Sequence, residues 1–145
     1  MRTALHSAIA VAIWLAAPAR ADLAAAKAEP NLEKRSRAAL ENANQALRKA
    51  KEIYAADTKK AAVLIEEVAE SVEVSGDALR ATGKNPSRNP KHFKYAEIAT
   101  RDLVRKLDHF ARDVDEADRD LVQQAKARVQ HIQDEILQGI MGKKK

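Results

Sequence analysis

The 145-residue chain has no cysteine, only four glycines and four prolines, and five aromatic residues. Without cysteine there are no disulfides, no thiol chemistry, no thiolate metal site and no covalent haem attachment, so packing alone must hold the fold. The scarcity of glycine leaves no phosphate-cradling loop, and neither a nucleophile elbow nor a metalloprotease helix motif occurs. Acidic residues are plentiful, but on a charged helical surface they are solvated or paired. An enzyme is therefore not expected, nor is a bound cofactor. With so few helix breakers, two stretches of about fifty residues run almost uninterrupted. One hard stop, "GKNPSRNP" at 83–90, separates them.

What is present begins with an export signal. Arg2 gives a positive start, Ala8 to Ala17 form a ten-residue apolar run, and Ala19-Arg20-Ala21 places small residues at a cleavage site before Asp22. Ten apolar residues are too few to cross a bilayer, which takes about 20. The reading is a cleaved signal over 1–21, a short segment over 22–30, a single domain over 31–140 and a basic tail over 141–145. The protein is then exported, periplasmic or extracellular, and soluble after cleavage.

Apolar residues recur at three- and four-residue steps in both long segments. Leu40, Ala43, Leu47, Ala50 and Tyr54 lead into Ala61, Leu64, Val68, Val72 and Leu79; Phe93, Ala96, Leu103, Leu107 and Phe110 lead into Leu121, Val129, Ile132 and Ile136. That spacing is an amphipathic helix, sustained as in a coiled coil. The fillers are Ala, Lys, Glu, Arg and Gln, all strong helix formers. The class is all-α. Gly83 suits the left-handed residue that closes a helix, and Asn89 suits the cap of a helix whose first position is Pro90.

Two architectures fit. In the first, helices near 31–82 and 90–140 form one long antiparallel hairpin about the turn 83–89. It pairs Leu40 with Ile132, Ala43 with Val129, Tyr54 with Ala117, Ala61 with Phe110 and Leu64 with Leu107, large against small at most layers. Asp57, opposite Val114, is its flaw. In the second, "AADTKK" and "DVDEAD" break the helices near Asp57 and Asp115 to give a compact four-helix bundle. Neither site contains Gly or Pro, which favours the first. Such a rod would leave Ile53, Ile65, Val74, Ile98, Val104, Val122 and Leu137 flanking its seam, and so a homo-oligomer or a bound client protein is expected.

The net charge of +5 is uneven. Residues 31–82 sum to zero and 96–140 to −3, whereas 83–95 carry Lys84, Arg88, Lys91 and Lys94 with no acid. Cations in a helix's first turn oppose its dipole, so stability alone does not place them there. The candidate partner-binding set is Lys84, Arg88, Lys91, His92, Lys94 and Tyr95. Export argues against nucleic acid and for an anionic envelope surface or an acidic protein. The expected function is an exported, non-enzymatic helical module, chaperone-like or an adaptor, contacting its partner through this basic tip. The alternative is a metal- or cofactor-binding bundle, since His109 with Asp113, and His131 with Glu135, have the i, i+4 spacing of a weak chelate. No Glu-x-x-His pair of the di-iron bundles is present.

Overall fold

The computed structural model describes residues 21–142; residues 1–20 of the expected signal peptide and the terminal lysines lie outside them. Five helices follow in chain order: α1 (Ala21–Ala28), α2 (Leu32–Ile53), α3 (Thr58–Ala81), α4 (Lys91–Asp113) and α5 (Glu116–Ile140). No strand occurs among the described residues, and the all-α class holds.

Each long helix is broken once, in both cases beside an aspartate, and at the first break its side chain makes the cap. Asp57 leaves the helical region at φ −151° and its side chain accepts the Lys60 amide at 3.0 Å, capping α3. Val114 and Asp115 are extended, with Glu116 and Asp118 in the first turn of α5 complementing its dipole. The uninterrupted helices over 31–82 and 90–140 are thus corrected to four, the compact alternative. A cap and a favourable first turn stop a helix without glycine or proline. The expected turn at 83–89 does hold, with Gly83 closing α3 at φ 67°. Asn89 does not cap α4; Pro90 occupies the cap position with no side-chain bond, while the Asn85 side chain accepts from the Ser87 amide and hydroxyl.

α2 and α3 form one antiparallel hairpin, α4 and α5 another. Side-chain pairs fix how the hairpins meet. Glu66 and Glu73 meet Arg128, Gly76 meets Ile132 and Arg80 meets Glu135, so α3 and α5 run parallel. Glu33 with His92, Arg37 with Tyr95 and Asn44 with Lys106 align α2 with α4 in the same way. Around the bundle the order is therefore α2, α3, α5, α4. No α2 Cα lies within 8 Å of an α5 Cα, so the pairings of Leu40 with Ile132 and Ala43 with Val129 do not form. At the end where both hairpins turn, two expected neighbourhoods survive. Ala61 and Phe110 line one crevice, and Tyr54 reaches the start of α5.

Folding back explains the surplus apolar residues. Ile65 and Val122, expected on the flanks, are 1 % and 2 % exposed and belong to the core with Leu40, Leu47, Val68, Leu103, Leu107 and Val129. Ile53 and Val104 pack against that core, and Ile98 and Leu137 stay exposed. Gly76 admits Ile132 so closely that a Cβ there would lie 3.1 Å from its Cγ2. Between α2 and α3 runs a polar seam. Ser36 bonds Ser75 at 2.7 Å, and Asn42 donates to Glu67 at 3.0 Å and to Ser71 at 2.9 Å, all buried. Buried polar groups satisfied in this way fix which residues of two helices face each other. α1 lies across this hairpin with Leu23 and Ala26 buried.

Candidate functional site

The bundle places the start of α2, the loop 82–90, the start of α4 and the end of α5 at one end. Glu33 is the organising acid there. It forms an ion pair with Lys84, and its other oxygen lies 2.9 Å from His92 Nε2. The Lys84 hydrogen bond, helped by the charges of His92, Lys84 and Lys91, holds the Glu33 carboxyl below its ordinary range. Thr82 supports the turn, its hydroxyl donating to the Leu79 carbonyl at 2.6 Å and accepting from the Lys84 amide at 3.2 Å. A pocket of about 200 Å³ opens between Glu33, Thr82, Lys84, Asn89, Lys91 and His92.

The six residues singled out from sequence thus divide. Lys84 and His92 converge on Glu33, more than fifty residues away in the chain. Arg88, Lys91 and Lys94 are exposed and have no ion-pair partner among the described residues. Tyr95 is half-buried, with the Arg37 guanidinium 4.2 Å above its ring. That arrangement leaves the tyrosine less contact area for a partner and brings a further cation to the site. Glu33 and Arg37 escaped the sequence reading because only the tertiary fold carries them to α4.

Three free cations beside the α4 N-terminus, which has no side-chain cap, can neutralise an anion. Nothing in the cluster pairs a nucleophile with a base. The second pocket of this end, about 270 Å³, lies between α3, α5 and the loop, with Leu79, Phe93, Ile132 and Ile136 as walls and the Arg80–Glu135 pair at its rim.

The histidines are spread apart. His131 Nε2 lies 3.2 Å from Glu135 Oε1, the one expected i, i+4 pair that is in contact. His109 and Asp113 are both exposed. Among the described residues no three His, Asp or Glu side chains are grouped to hold a metal ion, and no helix is long and apolar enough to cross a membrane. Comparisons with protein-family models, curated proteins and solved structures find no match, and the functional reading rests on this geometry.

Proposed function

We propose that the protein is an exported, non-enzymatic helical module that binds an anionic partner through the basic end of its bundle. One observation carries the reading. Arg88, Lys91 and Lys94 stand exposed and without an ion pair among the described residues, while Glu33, which feels the charge of Lys91, is already engaged by Lys84 and His92. Lysines at a helix N-terminus cost about 0.3–1 kcal/mol each against the dipole. A partner that supplies negative charge offsets that cost, and solvation of an exposed loop is the rival explanation.

The test is retention on a sulfated polysaccharide column as salt rises. Lys91→Glu with Lys94→Glu should elute at much lower salt than wild type, with a thermal midpoint unchanged or slightly raised. Lys59→Glu with Lys60→Glu makes the same change of charge at the opposite end and should elute near wild type. Equal elution of the two double variants would overturn the reading, because retention would then follow total charge.

A further inference from the structure

The bundle sorts its charge by side, which neither long segment shows along the chain. α2 and α4 lie together and carry twelve basic and seven acidic side chains, a net +5. α3 and α5 form the opposite side with six and ten, a net −4. The outward line of α4 runs from Lys91 and Lys94 through Ile98, Arg101 and Arg105 to Arg112, at three- and four-residue steps except where exposed His109 completes it. Asp102 and Asp108 border that line and pair with Arg105 and Arg112. The line extends about 32 Å at 1.5 Å per residue. Arg37, Arg48 and Lys51 lie along the edge of α2 that faces α4, with exposed Glu41 between the first two, an edge fixed by Arg37 over Tyr95 and Asn44 beside Lys106.

We infer that this α2/α4 side is a docking surface for an anionic lipid bilayer, with Ile98 as its apolar point of entry. The inference rests on the basic end being an anion contact and extends that contact down the length of α4. Three features select a bilayer. The cations spread along two parallel helices, matching a flat sheet of charge. Ile98 is 57 % exposed in the middle of the line, and long basic side chains flanking an apolar one are the pattern of helices that lie in a membrane interface, their heads at the phosphates. Many of these cations are also available. Arg48, Lys51, Lys91 and Lys94 have no ion pair among the described residues, and the arginines paired with neighbouring acids keep most of their surface, Arg101 at 63 % and Arg105 at 70 %. The acidic side, by contrast, has much of its charge engaged internally. Arg128 takes Glu66 and Glu73, and Arg80 takes Asp77 and Glu135.

Co-sedimentation with vesicles of phosphatidylcholine, alone or mixed with phosphatidylglycerol, tests the inference. The protein should pellet with the mixed vesicles at low salt, should not pellet with phosphatidylcholine alone, and should be released as salt rises. The combined substitutions Lys94→Gln, Arg101→Gln and Arg105→Gln should weaken binding more than about tenfold with helicity unchanged, since each basic side chain at an anionic leaflet contributes to adhesion. Lys27→Gln, Lys59→Gln and Lys60→Gln together remove the same charge from α1 and α3, away from this surface, and should bind within about twofold of wild type. Ile98→Ser, which leaves the charge intact, should also weaken binding. Equal losses in the two triple variants would overturn the assignment to this surface. A wild type retained on the polysaccharide column but indifferent to the mixed vesicles would overturn the bilayer and leave the basic end as an anion contact. Failure on both would remove both readings. A salt-sensitive dimer dissolved by the α4 substitutions, from a protein that ignores vesicles, would assign the surface to a second copy and overturn the inference.

Discussion

Asp57 shows how much one side chain can decide. In a straight hairpin it faces Val114 across the seam; in the structure it caps α3 on the Lys60 amide. Asp57→Ala should lower stability by about 1 kcal/mol, the usual loss of an N-cap, read from urea denaturation. Tyr54 ties the two turns together. Its hydroxyl donates to Asp118 at 2.6 Å and accepts the Asp115 amide at 2.8 Å, and its ring meets Phe110 edge-on at 5.7 Å. The Asp118 hydrogen bond raises the Tyr54 pKa, so this contribution is present below the ordinary tyrosine range and lost as pH rises through the raised value. The acids shift the other way. Lys84 lowers Glu33, Lys106 and then Arg105 lower Asp102, and Lys126 and then Arg112 lower Asp108. A carboxyl with a lowered folded-state pKa stabilises above its ordinary range and loses that effect as pH falls through the lowered value. Thermal midpoints should therefore hold near neutral pH and decline below about pH 4. High salt should reduce the decline, because these pairs are largely exposed. The basic tip residues were legible as a charge run. Glu33 was not, because a contact across more than fifty residues leaves no local pattern.

Among the elements, the helices and the 83–89 turn were legible because periodicity and Gly83 are local signals. The breaks were legible only as candidates. The sequences around Asp57 and Asp115 contain acids suited to caps, yet no Gly or Pro, and a cap can stop a helix only if the chain gains by turning there. The gain is tertiary: it buries Ile65 and Val122 inside the protein instead of on the flank of a rod. The apolar stripe itself could not discriminate, since the same stripe faces a partner helix in either architecture. Ile65→Ala does discriminate. It should cost about 2–5 kcal/mol as a core truncation and far less if the residue flanked a rod. Urea denaturation at constant protein concentration measures it. Asn42→Ala should cost about 1–3 kcal/mol through its buried partners on α3, checked in the same way.

For the whole molecule, the net charges of the two long segments concealed the arrangement. The zero over 31–82 hides a basic α2 and an acidic α3, and the −3 over 96–140 leaves out Lys91 and Lys94, which make α4 basic beside an acidic α5. Only when each segment folds back do α2 and α4 become one side and α3 and α5 the other. The basic end, the α4 surface and their proposed partner all depend on that folding. Because the chain has no cysteine, spin labels can be attached at Lys34→Cys and Arg88→Cys alone, and their separation measured by pulsed electron resonance. The bundle puts both positions at the same end, with Glu33 already paired to Lys84, and predicts a short distance, well under half of a rod's. An unbroken first helix would hold the two labels about 70 Å apart at 1.5 Å per residue, and a distance near that value would contradict the fold and the charge-sorted surface derived from it.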